Sequence, residues 1–252
     1  MRYLLRLSYH GGPFRGFAPN EGVPTVGGAL CVALETIVRH PVSITCAGRT
    51  DAGVHATDQA VHFDTDVEVD PDGLRGSLNG LCKPHIAVRS IEQVADDFDA
   101  RFSCTGRTYR YRLLNRRVPD PFRHEVTWRV DGELDIQAMN AAGAALVGTH
   151  DFSSFCRKQF ADVDGAEVEK TRVRDLRRVA WTRAADEEVH LMISASSFCQ
   201  QMVRSITGLC VDVGLGRVSV EGVPGILAAQ DRTRVPRVAP PQGLFLERVD
   251  YA

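Results

Sequence analysis

In Arg2-Tyr3-Leu4-Leu5-Arg6-Leu7-Ser8-Tyr9, residues Tyr3, Leu5, Leu7 and Tyr9 fall on one face of an extended chain, the period-2 pattern of a half-buried strand. His10-Gly11-Gly12-Pro13 breaks it. Val26, Leu30, Leu34, Ile37 and Val38 then recur at helical spacing after Thr25, a suitable N-cap, and Pro41 ends that helix near Arg39. Residues 42–47 alternate again with β-branched side chains, and 59–63 reads as another strand, so Gly48 to Ala56 is a loop between two strands. Asp70-Pro71-Asp72 supplies an N-cap, an N1 proline and an early acid for a helix to about Leu81. Strands are predicted at 86–91 and 107–113. In the latter, Tyr109, Tyr111 and Leu113 point one way and Arg110 and Arg112 the other.

The second half repeats this alternation loosely. Leu134 to Val147 reads as a helix capped by Asp135, and Arg157 to Lys170 as an exposed, irregular loop. Strands at 172–181 and 189–195 flank a turn at Asp186-Glu187-Glu188. Phe198, Met202, Ile206, Leu209 and Val213 make a helix from Phe198 to about Val213, with Arg204 the lone charge in its first half. A short helix starts near Ser219. Strand–helix–strand–strand order in both halves, without sequence repeats, predicts an α+β fold with a mixed sheet.

Composition narrows the class. With 252 residues, 44% hydrophobic and 25% charged, the chain can build a large core in one domain or two intimate halves. No apolar run approaches the roughly 20 residues of a membrane span. A second arginine at Arg6 comes too early for a signal-peptide core, so a cytoplasmic location with no membrane partner is expected. Seven scattered cysteines, with no Cys-x-x-Cys, predict neither structural zinc nor a disulfide framework, but for most of them small buried hydrophobes in a reducing compartment. No dinucleotide, Walker or His-Glu-x-x-His motif is present, so neither metal nor cofactor is expected.

The net charge of −2 does not announce a nucleic-acid partner, but its distribution is uneven. Arg101 to His124 holds seven arginines against Asp120 alone, and Lys170 to Arg183 holds six bases against Asp175. Three of the 30 cations are lysines, so these stretches are guanidinium, which suits bidentate phosphate contact.

Gly48-Arg49-Thr50-Asp51-Ala52-Gly53-Val54-His55-Ala56 packs a cation, a carboxylate, two glycines and a histidine into one loop. By residue type alone it could be an ordinary polar turn. The whole string resembles the active-site motif of the tRNA pseudouridine synthase A family. Further segments are similar to that family in the same order. They are Tyr9 to Phe17, Thr25 to Leu30, Arg101-Phe102-Ser103 with Arg107-x-Tyr109-x-Tyr111, His150 to Phe155, Phe198 to Gly208, Gln230-Asp231-Arg232, and Ala239 to Leu246. The chain departs from the family pattern at His10, Phe17, Ala18-Pro19-Asn20 and Gly27, which puts the RNA contacts of those loops in question.

The resemblance implies a pseudouridine synthase fold: two similar α/β halves, here 1–103 and 104–252, sharing a central mixed, mainly antiparallel sheet with the active-site cleft between them. It implies Asp51 as nucleophile, Tyr109 against the target base, Leu244 packed on the flipped base and Arg204 paired with the nucleophile. Arg49, beside Asp51, is a candidate for holding backbone phosphate or filling the space the base leaves. The implied substrate is the anticodon stem-loop of tRNA at positions 38 to 40, and the implied assembly a homodimer. His150-Asp151 reads as a structural turn, having no nucleophile partner. A non-catalytic RNA-binding or RNA-chaperone protein on the same fold is the alternative, and the departures at Phe17, Pro19-Asn20 and Gly27 lend it weight.

Overall fold

The apolar faces read from the sequence become the dry sides of strands and helices. The computed structural model describes residues 1–163, 166–235 and 237–252. They divide into two compact units, Met1–Gly106 with Phe245–Ala252, and Arg107–Leu244. In chain order the strands are β1 (Arg2–Tyr9), β2 (Ile44–Cys46), β3 (His55–Asp64), β4 (Ile86–Val94), β5 (Cys104–Asn115), β6 (Trp128–Val130), β7 (Gly148–Asp151), β8 (Phe160–Val163), β9 (Ala166–Glu169), β10 (Val173–Arg183), β11 (Glu188–Ala195) and β12 (Leu244–Tyr251). The α-helices are α1 (Val26–Val38), α2 (Pro71–Cys82), α3 (Ile136–Ala144), α4 (Met202–Gly214) and α5 (Val223–Ala228). Pairing is mainly antiparallel, with β12 parallel to β3 and β6 parallel to β5, so the fold is α+β and mixed, as expected.

In the first unit the strand order is β4–β1–β3–β12, with β2 also on β3. Leu5 lies opposite Val61 on one side and Ile91 on the other, which buries β1 completely at its centre. The helices cover this sheet with Leu30, Leu34 and Leu78, all fully buried, each contributing on the order of 1.5–3 kcal/mol. Both caps form as the sequence implies: Thr25 accepts from the Gly28 amide, and Asp70 from those of Asp72 and Gly73. Asn79 on α2 then clamps the Val88 backbone in both directions, at 2.9 and 2.7 Å, fixing helix to strand.

In the second unit the order is β7–β10–β11–β5, with β6 beside β5. Asn140 ties α3 to β10 by accepting from the Trp181 amide at 2.8 Å and donating to its carbonyl at 3.0 Å. Every residue of α4 is buried except Arg204. A helix buried on nearly all sides belongs in an interior; its acid, Asp212, is buried and paired with Arg217 and Arg237, which leaves Arg204 as the one charge in its first half.

Three expectations are corrected. The segment 157–170 is not irregular: β8 and β9 pair, Phe160 opposite Glu169. Among the described side chains of this hairpin none is buried, Phe160 and Val168 being 48% exposed, so no period-2 pattern marks it. The helix placed from Phe198 begins at Met202, because Gln201 takes a left-handed φ of 66° and interrupts the turn. Where the sequence predicts no disulfide framework and, for most cysteines, small buried hydrophobes, Cys156 and Cys199 form one disulfide, with Cα atoms 5.7 Å apart, and the other five are free. Their 43-residue separation gives no spacing signal; the fold alone brings them together.

Glu188 anchors the β5–β11 pair and gives a pH signature. It is buried, and accepts from Arg112 Nε at 3.0 Å, Arg112 Nη2 at 2.8 Å and His190 Nε2 at 2.7 Å. Burial pushes its carboxyl up, but the hydrogen bonds from Arg112 and His190 outweigh it and bring it down to about 2. A carboxylate with a folded pKa below its unfolded value stabilises fully above the unfolded value, near 4.5, and loses that stabilisation as pH falls through 2. Glu188→Gln is expected to flatten urea-unfolding stability over that acid window and to cost about 3 kcal/mol at neutral pH. Parallel stability–pH curves for variant and wild type would refute the assignment.

Candidate functional site

Asp51 sits on a turn closed by the Val54 amide donating to the Asp51 carbonyl at 3.1 Å, with Gly53 at φ 77°. Only glycine adopts that region freely. The turn rests on the segment after β1. Tyr9 shares a 2.8 Å hydrogen bond with the Thr50 hydroxyl, and the Phe17 amide donates to the Thr50 carbonyl at 3.1 Å. The Gly11 amide donates to His55 Nδ1 at 3.0 Å, which leaves that nitrogen as an acceptor. The His55 ring stacks on Phe245 at 4.6 Å and 21°. From inside the sheet, Gln59 donates to the Gly48 carbonyl at 2.7 Å. Both ends and the middle of the loop are thus fixed, while Asp51 stays half-buried and Arg49 exposed. Arg49 has no protein partner among the described residues. This is a preorganised carboxylate beside an available guanidinium, the arrangement a covalent or basic step on a bound polyanion requires.

Three of the departures from the family pattern, Phe17, Pro19 and Gly27, form one packed group. The Gly27 amide donates to the Phe17 carbonyl at 2.8 Å, and a Cβ at residue 27 would lie 2.6 Å from that oxygen and 3.0 Å from Pro19 Cδ. Phe17 is itself buried, with its ring 6.1 Å from that of Tyr9. With Phe17 and Pro19 in place, residue 27 must be glycine. These positions are mutual accommodations and do not favour a non-catalytic protein.

In the second unit Arg204 and Tyr111 both hold the segment leading into Leu244. Arg204 Nε donates to the Ala239 carbonyl at 2.7 Å, and the Tyr111 hydroxyl donates to the Pro240 carbonyl at 2.7 Å. A Cβ on Gly243 would meet the Tyr111 ring at 2.6 Å, so the chain passes that ring only as glycine. Burial pushes the Tyr111 phenol well above its usual 10, with the Arg204 charge opposing, so it is a fixed neutral donor. Tyr111 is therefore the structural tyrosine of the pair. Tyr109 is buried and meets Phe198 edge-on at 5.2 Å, and Leu244 is buried where β12 begins. His150-Asp151 is structural, but it is not a turn: both residues belong to β7, paired with Arg174 and Val173 of β10, and Asp151 accepts from the Ser153 amide at 2.8 Å while His150 Nε2 bonds the Val147 carbonyl at 3.1 Å.

Sequence reasoning missed Gln201, Arg157 and Arg232. Arg232 Nη2 donates to Gln201 Oε1, and the Arg157 amide donates to the Gln200 carbonyl at 3.0 Å. Only the Gln230-Asp231-Arg232 resemblance pointed toward this corner.

Comparison with known proteins shows the family. A family model described as tRNA pseudouridine synthase matches residues 142–252. A tRNA pseudouridine synthase A from Hyphomonas neptunium is 42% identical over 251 residues, covering 99% of this chain and 98% of that one. The protein of the same name from Azorhizobium caulinodans is 40% identical over 251 residues, 99% and 94% of the two chains. That from Myxococcus xanthus is 39% identical over 250 residues, 99% and 92%.

Proposed function

The chain belongs to the tRNA pseudouridine synthase A family, and from that premise we propose that it isomerises uridine to pseudouridine in the anticodon arm of tRNA, at positions 38 to 40, with Asp51 as nucleophile. The observation that supports Asp51 most directly is its place on a turn held by Tyr9, Gly11, Phe17 and Gln59, while its side chain is left half-buried beside the exposed Arg49.

The reaction breaks the bond between uracil N1 and C1′, turns the base, and joins C5 to C1′; the proton on C5 leaves and N1 gains one. Atoms and oxidation state balance, so no redox coenzyme enters. The Asp51 carboxylate serves either by covalent attack or by taking the C2′ proton to give a glycal. A base inside a stem is out of reach, so the nucleotide is extruded first. Tyr109 and Leu244 are assigned to the flipped base, Arg49 to the backbone phosphate or the vacated space, and Arg204 to offsetting the nucleophile's charge. The family resemblance further supports a cytoplasmic homodimer. Among the described residues, no helix is long and apolar enough to cross a membrane.

The test is incubation with unmodified tRNA transcripts, then carbodiimide treatment and primer extension. New stops at positions 38 to 40 are expected, and their absence, with stops nowhere else, refutes the activity. Arg204→Met is expected to lose conversion by on the order of a hundredfold or more while the fold stays largely intact. Near-normal turnover in that variant removes Arg204 from the reaction.

A further inference from the structure

Arg232 is a cation built into a place where its own protein leaves it incomplete. Its Nη2 donates to Gln201 Oε1, but its Nη1 is buried and has no hydrogen-bond partner among the described residues. The adjacent acid does not serve it. Asp231 caps the following 3₁₀ turn, accepting from the Thr233 amide at 2.9 Å and from the Thr233 hydroxyl at 2.8 Å on each oxygen. The segment is also fixed from below. Fully buried Ser154 accepts from the Asp231 amide at 3.0 Å and donates to the Ile226 carbonyl at 2.7 Å. The disulfide from Cys156 to Cys199 holds the chain leading to Arg157 against the chain leading to Gln201. Arg157 itself is exposed.

Burial, and then the charges of Arg157 and Arg204, lower the pKa of Arg232. Two of the three converging cations, Arg157 and Arg232, make no ion pair among the described residues of the chain. A desolvated guanidinium with a bare N–H is destabilising unless an anion completes it. Planar N–H groups facing an oxyanion are the geometry that phosphate recognition uses.

We propose that Arg232 and Arg157, beside Arg204, form a clamp for a phosphodiester of the substrate RNA, with Gln201 orienting the Arg232 fork and Ser154 fixing its backbone. The proposal rests on the reading of tRNA as substrate. It gives Gln230-Asp231-Arg232 a binding role and makes the His150 to Phe155 segment its foundation, where sequence alone showed only a turn.

The test is equilibrium binding of unmodified tRNA to wild type, Arg232→Gln, Arg232→Lys and Arg157→Gln across about 50–300 mM KCl, with kcat and KM in parallel. Each phosphate contact contributes about 0.7–0.9 to the slope of log K against log salt. Arg232→Gln is expected to lower that slope by one such increment, to weaken binding roughly tenfold at ~100 mM salt, and to raise KM more than it lowers kcat. Arg232→Lys should restore the slope but not the full affinity, because a point charge lacks the fork. Arg157 is exposed, so Arg157→Gln tests the clamp even if Arg232→Gln fails to fold; its slope should fall as well. Unchanged slopes in both Gln variants, with wild-type binding intact, overturn the clamp alone. Wild type that binds no tRNA at any salt overturns the substrate reading together with it.

Discussion

Asp51→Asn is expected to abolish pseudouridine formation, by about 10⁴-fold or more, while tRNA binding stays within a few-fold of wild type. The substitution exchanges one carboxylate oxygen for an amide nitrogen and hardly changes volume. The turn that carries residue 51 is closed through its backbone carbonyl, and Thr50, Gly48 and His55 are held by Tyr9, Gln59 and Gly11. None of those contacts uses the Asp51 side chain. A neutral amide can neither attack the sugar or base nor accept the C2′ proton, so both routes close together. Single-turnover conversion of a radiolabelled transcript, beside a binding titration, separates chemistry from affinity. Conversion within a hundredfold of wild type would remove Asp51 as the reacting group.

The legible parts of the fold are those whose apolar residues recur at one period. β1, α1 and α2 each carry a single apolar stripe and a local start signal, and Thr25 and Asp70 cap as their positions imply. The β8–β9 hairpin was illegible because both faces meet solvent and no periodicity survives. The start of α4 was misplaced for a different reason: apolar residues continue back to Phe198, but the left-handed Gln201 is a choice of tertiary structure. Gln201 takes that conformation where its side chain meets Arg232, 31 positions away in sequence. A window-based reading sees neither partner in the other's context.

The same division holds for the candidate site. Residues with distinctive chemistry in a compact string, Arg49 and Asp51, stood out at once. The residues that hold them did not, because Tyr9, Gly11, Phe17 and Gln59 look like ordinary strand and turn positions. Phe17, Pro19 and Gly27 appeared as three separate departures, and their packing makes them one. Arg232 was visible only as a resemblance, since an unsatisfied Nη1 is a property of coordinates and not of composition.

Gly11→Ala is expected to cripple conversion and lower stability together, although Gly11 carries no functional group. A Cβ there would lie 2.0 Å from the Val54 carbonyl oxygen and 2.6 Å from its carbon. Both atoms are backbone, so no rotamer change relieves the clash. Either the 51–54 turn moves or residues 9–17 lift from it, and the Gly11 hydrogen bond to His55 is lost in both cases. Overpacking of this kind costs about 1–3 kcal/mol, a fall of roughly 2–12 °C in Tm for a chain of this size. A displacement near 1 Å at the reacting carboxylate costs on the order of a hundredfold in rate. Gly76→Ala on α2 is the control: its Cβ meets nothing within 4 Å, and alanine there should stabilise by about 0.5–1 kcal/mol with conversion unchanged. A Gly11→Ala protein that melts and converts like wild type would mean the Asp51 turn does not depend on the segment beneath it.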